Sequence, residues 1–210
     1  VVTGDFDKDG IPDLVVVPLY PDTGREITFW RGDGAGQFTV AGKSLSRGVA
    51  STGAAAGDID GDGNLDLFVT GGSGATLLGN GAFGFQIVRA AFSMLPGDPL
   101  PPVLADFDKD GKLDFATGYS NSGIVDIGIN AGGGRFNVQN SATGYLYLVP
   151  VGERATPMGL AVGDLNQDGW PDLAVSAGLS ARGLFFSGIV TLLGPKGGNP
   201  QTRRCLLDQT

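Results

Sequence analysis

Four segments of the chain place aspartate at a spacing suited to gripping a hard cation. They are Gly4-Asp-Phe-Asp-Lys-Asp-Gly-Ile-Pro-Asp-Leu14, Gly57-Asp-Ile-Asp-Gly-Asp-Gly-Asn-Leu-Asp-Leu67, Ala105-Asp-Phe-Asp-Lys-Asp-Gly-Lys-Leu-Asp-Phe115 and Gly163-Asp-Leu-Asn-Gln-Asp-Gly-Trp-Pro-Asp-Leu173, which align without a gap. Counting the first aspartate as position 1, oxygen-bearing side chains occupy positions 1, 3, 5 and 9. These are Asp5, Asp7, Asp9 and Asp13; Asp58, Asp60, Asp62 and Asp66; Asp106, Asp108, Asp110 and Asp114; and Asp164, Asn166, Asp168 and Asp172. Alternate residues of a tight curl project to one side, so positions 1, 3 and 5 converge. Glycine at position 6 permits a sharp turn that brings in a carbonyl from position 7, which is Ile11, Asn64, Lys112 or Trp170.

Position 9 completes four side-chain groups and one carbonyl per loop. With water or bidentate binding this supplies the six to eight oxygens that calcium takes, whereas magnesium demands a stricter octahedron. Without a cation the loop is costly, since two carboxylates about 4 Å apart repel by roughly 4 kcal/mol at an effective dielectric of 20. About four structural calcium ions are therefore expected, as components of the fold. An EF-hand shares positions 1 to 6 but needs glutamate at position 12 and flanking helices; this chain has Val16, Val69, Thr117 and Val175 there.

The rest of the composition agrees. Of 22 acidic residues 15 lie in the four loops, so the net charge of -8 is concentrated there, and four divalent ions would cancel it. No histidine occurs in the 210 residues, which removes Ser-His-Asp and Cys-His nucleophiles and His-ligated metal sites. Cys205 is the single cysteine and has no partner for an internal disulfide. No apolar run approaches the roughly 18 residues of a membrane span. Nucleic acid is not expected as a partner, and no membrane span is expected in this chain.

The loops must be held by something, and their spacing names it. Their first aspartates are 53, 48 and 58 residues apart, a period that marks a repeat architecture. A second feature follows each loop: Trp30-Arg-Gly-Asp-Gly-Ala-Gly-Gln-Phe38, Leu78-Gly-Asn-Gly-Ala-Phe-Gly-Phe85, Ile129-Asn-Ala-Gly-Gly-Gly-Arg-Phe136 and, without the closing Phe, Leu193-Gly-Pro-Lys-Gly-Gly-Asn-Pro200. Each reads as an apolar strand entering a Gly-rich hairpin turn. One strand enters the Asp loop, one leaves it, a third precedes the Gly-rich turn and a fourth follows. Four strands in about 50 residues is the size of a propeller blade. The expected fold is all-β, a single β-propeller region over 1–210 with blades near 1–53, 54–101, 102–156 and 157–210. Apolar residues at positions 2 and 10, among them Phe6, Ile59, Phe107 and Leu165, are expected to pin each loop to the β core.

The D-x-[DN]-x-D-G-x-x-D loop, followed by an apolar strand and a G-x-G-x-F turn, resembles the FG-GAP/VCBS repeat over nearly the whole chain, with Asn166 as the one side-chain departure. The resemblance extends to the integrin α-subunit head and to fungal and bacterial lectin-like proteins. It implies calcium in these loops and a propeller of usually seven blades. Seven would need about 350 residues at this period, so the chain is expected either to be part of a longer protein or to close by an unusual route.

The expected function is an extracellular or cell-surface, secreted, lectin-like or adhesion module. Its partner would be a glycan or an extracellular protein, with calcium as scaffold and no catalysis. Tyr145, Tyr147 and Trp170 are the candidate ligand contacts, because the two tyrosines alternate with leucines along a strand and the Trp170 carbonyl is committed to metal. Packing between blades is the competing reading for each. A carbohydrate lyase, dehydratase or hydrolase on the same scaffold is the alternative, as is a purely structural repeat of a surface protein or assembly. Arg31-Gly32-Asp33 matches an integrin-recognition tripeptide, but it occupies the repeated turn, and a turn role is expected.

Overall fold

The structure, a computed structural model, describes residues 1–17, 26–43, 52–71, 74–89, 99–120, 124–138, 146–147, 154–181, 184–192, 194 and 205–207. Among these residues there is no helix, and every regular element is a strand of one of four antiparallel sheets. The first sheet takes β1 (Val2–Gly4), β2 (Asp13–Val16), β3 (Thr28–Gly32) and β4 (Phe38–Lys43) in sequence order. The second takes β5 (Gly53–Gly57), β6 (Asp66–Thr70), β7 (Ala75–Gly79) and β8 (Phe85–Arg89) in the same way. The third consists of β9 (Val103–Ala105), β10 (Asp114–Tyr119), β11 (Ile124–Gly132) and β12 (Arg135–Val138), and β13 (Leu146–Tyr147) pairs with β11 as an additional strand. The fourth is β14 (Arg154–Gly163), β15 (Asp172–Ala181), β16 (Leu184–Leu192) and β17 (Cys205–Leu207).

Every sheet follows one plan. The Asp loop joins its first two strands, and in the first three sheets the Gly-rich turn joins the last two. The register makes loop positions 10 and 12 face one way and positions 9 and 11 the other, because side chains alternate along a strand. In β2, Asp13 and Val15 are buried while Leu14 is half-buried and Val16 exposed.

Contacts divide the chain into two units, residues 1–94 with 130–136, and residues 95–129 with 137–210. In the first unit Phe6, Val15, Ile27 and Phe29 from the first sheet's repeat pack with Leu67, Val69, Ala75 and Leu77 of the second. The Phe29 ring stacks on Phe85 at 4.5 Å, and Phe6 meets Phe85 at 6.2 Å. Residues 130–136 belong here through Phe136, whose ring sits edge-on to Phe68 at 4.9 Å, and through Asn130, whose Nδ2 donates to the Ile59 carbonyl (2.8 Å). The second unit repeats the arrangement. Phe107, Ala116 and Val125 pack with Leu173, Val175 and Ala177. Each fully buried side chain of this size contributes roughly 1.5–3 kcal/mol, so the packing of one repeat on its successor is a principal source of stability.

This packing corrects one sequence expectation. Phe6, Ile59 and Phe107 at position 2 are buried, but Leu165 is 54% exposed. Phe6 packs against the second sheet and Phe107 against the fourth. In the first and third repeats position 2 therefore packs where its own sheet meets that of the following repeat, and only Leu165 departs from the expected burial.

Candidate metal centres

Each Asp loop is a cage of backbone N–H groups directed at its own carboxylates. In the first loop Asp5 accepts from the Asp9 N–H on Oδ1 (3.1 Å) and from the Gly10 N–H on Oδ2 (2.9 Å). Asp7 Oδ1 accepts from Asp9 N–H (3.3 Å), and Asp9 Oδ1 accepts from Ile11 N–H (2.8 Å). The third and fourth loops repeat all four bonds through Asp106, Asp108 and Asp110, and through Asp164, Asn166 and Asp168. The second differs in one donor, Gly61 N–H taking the place of the position 5 amide on Asp58 Oδ1.

The backbone reaches this shape through two left-handed residues. Position 6 has φ of 83°, 84°, 89° and 83° at Gly10, Gly63, Gly111 and Gly169, as its invariant glycine implied. Position 4 is also left-handed, at Lys8 (62°), Gly61 (80°), Lys109 (61°) and Gln167 (59°), where a side chain costs strain that the loop's hydrogen bonds must offset. Nothing in the Lys, Lys and Gln identities signalled this. The only clue was glycine at the same place in the second loop.

Position 9 does more than the sequence suggested. Asp13, Asp66, Asp114 and Asp172 are fully buried. Asp13 Oδ2 accepts from Phe6 N–H (2.8 Å), and its Oδ1 accepts from Gly32 N–H (3.0 Å) in the Gly-rich turn. Asp66 makes the same pair with Ile59 (2.7 Å) and Gly79 (2.7 Å), and Asp172 with Leu165 (2.8 Å) and Gly194 (2.6 Å). Asp114 Oδ2 accepts from Phe107 N–H (2.8 Å). One carboxylate thus ties the start of the Asp loop to the strand that enters the second turn. The turn glycine is required by proximity: a Cβ at Gly32 would stand 2.2 Å from the Pro12 carbonyl oxygen, and one at Gly79 2.2 Å from that of Leu65. Burial raises the Asp66 carboxyl above its ordinary pKa, and the N–H groups of Gly79, Ile59 and Asp60 pull the other way.

The carboxylates also converge. Asp5, Asp7 and Asp13 each offer an oxygen within 4.8 Å of the others, as do Asp58, Asp60 and Asp62, and Asp106, Asp108 and Asp114. Calcium holds oxygens at about 2.3–2.6 Å, so ligands across one ion stand up to about 5 Å apart; the clusters fit that size and are all oxygen. An accepting carboxylate oxygen retains a second lone pair, so the loop hydrogen bonds leave each cluster free to coordinate.

Basic side chains neighbour these clusters. Arg31 forms an ion pair with Asp7 while its guanidinium lies 5.4 Å from the centre of the Phe83 ring. Lys112 pairs with Asp110, and this hydrogen bond is the chief reason the Asp110 carboxyl is held low. Asp62 is also held low, first by the Asn64 N–H and side-chain amide, with Lys8 adding its charge.

The remaining expectations are distributed as follows. Asp33 of Arg31-Gly32-Asp33 accepts from the N–H groups of Ala35 (2.8 Å) and Gln37 (2.9 Å), and Asn80 accepts from Ala82 and Gly84 in the second sheet's turn. With Arg31 held by Asp7, the tripeptide is used as a turn. Trp170 is half-buried, and the Lys109 ammonium sits 4.4 Å from its ring centre. Tyr147 lies in β13 opposite Ile124, and Tyr145 falls outside the described residues. Sequence reasoning missed a buried pair, in which Tyr119 donates to Asp126 Oδ2 (2.7 Å). Burial raises the Asp126 carboxyl, and the tyrosine hydrogen bond opposes it. Among the described residues no helix is long and apolar enough to cross a membrane.

Comparison with known proteins agrees with this geometry. The family pattern described as FG-GAP-like repeat matches residues 5–69 and 106–175. Seven solved chains match. One is an Agrocybe aegerita lectin, described as specifically recognising non-reducing terminal N-acetylglucosamine; it is similar at a TM-score of 0.52 and 17% identity, over 98% of this chain. The chain spans 65% of that lectin's length. Among curated proteins no match was found.

Proposed function

Because the chain belongs to the FG-GAP-like repeat family, we propose that it is a calcium-braced β-propeller module that binds a glycan or a surface protein outside the cell. The observation that carries this reading is the recurrence, in the first three loops, of a three-aspartate oxygen cluster built on positions 1 and 3 and completed by position 9 in the first and third and by position 5 in the second. Positions 1, 3, 5 and 9, with the carbonyls of Ile11, Asn64, Lys112 and Trp170, would hold the ions. Bound calcium supplies positive charge that relieves the repulsion among three or four carboxylates, and so fixes the loop as a rigid corner between two strands. The protein's own N–H groups already orient those carboxylates, which lowers the entropy lost on binding.

The four sheets are the blades in this reading, and recognition falls to loops that the blades hold in place. The lectin neighbour makes terminal N-acetylglucosamine the first sugar to test. A binding role is favoured over catalysis because no histidine is present and the loop carboxylates are engaged by backbone donors. A glycan array probed in calcium and in chelator tests the proposal. Retention that needs calcium, and that Trp170→Ala or Tyr147→Ala removes without loss of metal, is the expected result. Turnover of a bound sugar would instead establish an enzyme, and silence on both glycan and surface-protein arrays would refute the binding role.

A further inference from the structure

Lysine at loop position 4 reaches out of its own repeat. Lys8 stands between the candidate ligands Asp7 and Asp9 with a left-handed φ of 62°, and Lys109 stands between Asp108 and Asp110 with one of 61°. Both residues are exposed, yet their ammonium groups lie against the Asp loop of the next repeat. A Cβ at Gly81 would stand 3.4 Å from Lys8 Cδ, and one at Gly63 3.9 Å from Lys8 Nζ. The side chain thus runs along the second repeat, from its Gly-rich turn to position 6 of its Asp loop. After the N–H and side-chain amide of Asn64, the charge of Lys8 helps to hold the neighbouring Asp62 carboxyl low.

The third and fourth repeats show the same relation independently. A Cβ at Gly169, again position 6, would stand 3.5 Å from Lys109 Nζ. That ammonium lies 4.4 Å from the ring centre of Trp170, whose carbonyl is a candidate ligand. Each of the two contacts falls within one unit of the chain. The second and fourth loops carry Gly61 and Gln167 at position 4, so a loop that receives a lysine has none to extend. Arg31 and Lys112 differ from these lysines, because each pairs with an aspartate of its own repeat.

We propose that Lys8 and Lys109 tune the ion site of the following repeat: each offsets the repulsion among that loop's carboxylates while the loop is empty, and weakens its hold on calcium. The inference rests on the calcium reading above and adds a link from one metal loop to the next. A positive charge beside clustered carboxylates favours their ionised form and repels a second cation. Calcium entering the second loop must therefore work against Lys8, and calcium entering the fourth against Lys109. Both ammonium groups are exposed, so salt screens the effect. Removing one should tighten calcium binding at the next loop roughly three- to tenfold at low salt, and by less at high salt.

Lys109→Gln in a Trp30→Phe parent tests this at a single site. Gln167 holds position 4 of the fourth loop at a φ of 59°, so glutamine is compatible with the left-handed backbone. Trp30 and Trp170 are the two tryptophans of the chain. With Trp30 replaced, terbium luminescence excited through tryptophan reports the loop that holds Trp170. Terbium binding, and calcium competing for it, should move to lower concentration by the stated factor in Lys109→Gln, with the shift shrinking in salt. Lys8→Gln should leave this signal unmoved. Thermal melts give a second readout. Lys109→Gln should melt below its parent in chelator, and the rise from chelator to calcium should be larger than the parent's. Equal ion midpoints in Lys109→Gln and its parent overturn the proposal. So does an equal shift from Lys8→Gln, which would mean that the lysine acts only through overall charge, and so does a melting rise no larger than the parent's. A parent that binds neither ion refutes the calcium reading itself, and this inference with it.

Discussion

Asparagine at loop position 9 should cost a repeat its stability, whereas asparagine at position 3 should cost only ion affinity. In the second loop Asp66 is fully buried and uses both oxygens, Oδ2 for the Ile59 N–H (2.7 Å) and Oδ1 for the Gly79 N–H (2.7 Å). An amide has one accepting oxygen, so in either orientation one backbone N–H meets an NH₂ group. Two buried donors are then unmatched at ~1–3 kcal/mol each, giving ~2–6 kcal/mol for Asp66→Asn. The relief of a carboxylate that burial already disfavours offsets part of this. Asp60 is exposed and accepts on Oδ1 from Asp62 N–H (3.2 Å), a bond that an asparagine oxygen keeps, as Asn166 does at 2.9 Å. Asp60→Asn should therefore act through calcium. A tenfold loss of affinity lowers stability by ~1.4 kcal/mol at fixed excess ion, and raising calcium tenfold restores it. Urea unfolding at two calcium concentrations separates the two cases. If higher calcium restores Asp66→Asn as fully as Asp60→Asn, or if the two cost the same, the structural role assigned to position 9 is wrong.

Chelation should lower the melting temperature, because the binding free energy of ions held by folded loops is folding free energy; thermal melts in calcium and in chelator check it, and equal midpoints would show the loops to be indifferent to metal. In a calcium titration the fourth loop should fill last, since Asn166 supplies an oxygen but no charge; resolved binding steps after Asp168→Ala, compared with Asp62→Ala, assign the sites. Asp126→Asn keeps an acceptor for Tyr119 and removes a desolvated charge, so its effect depends on pH. Burial raises the folded-state pKa of Asp126 above the ordinary 3.8, which means that ionisation costs stability as pH climbs from 3.8 through that raised value. The variant's melting temperature should therefore gain on the wild type across this window and stay ahead, by a constant margin, at neutral pH. A margin that is largest in acid and vanishes at neutral pH would contradict the assignment.

The loops and the four-strand repeat were legible in the sequence because both are local. Positions 1, 3, 5 and 6 act within a few residues of each other, and the Gly-rich turn carries its own backbone requirement. The strands expected to leave the first and second Asp loops are present as Asp13–Val16 and Asp66–Thr70. What escaped depends on partners distant in the chain. The ninth aspartate looked like one more ligand because its hydrogen bond to the second turn spans 19 residues in the first repeat. The exposure of Leu165 was not foreseen because the packing of position 2 draws on the next repeat's sheet as well as on its own. The lysines at position 4 gave no sign of their left-handed backbone, since the cause lies in the N–H groups around them.

The bond from the ninth aspartate to the turn glycine sets how the repeat can change over time. The two residues it joins are 13 apart in the second repeat, 19 in the first and 22 in the fourth, yet the bond is the same. A carboxylate clasp, rather than the length of the intervening chain, therefore fixes where the two halves meet. Lengthening a loop whose ends are already fastened adds little closure entropy, only about 0.6 kcal/mol per doubling. The stretch between those anchors can therefore gain or lose residues while the metal loop keeps its place. Repeats of one lineage could vary there, and acquire new ligands, without renegotiating the core.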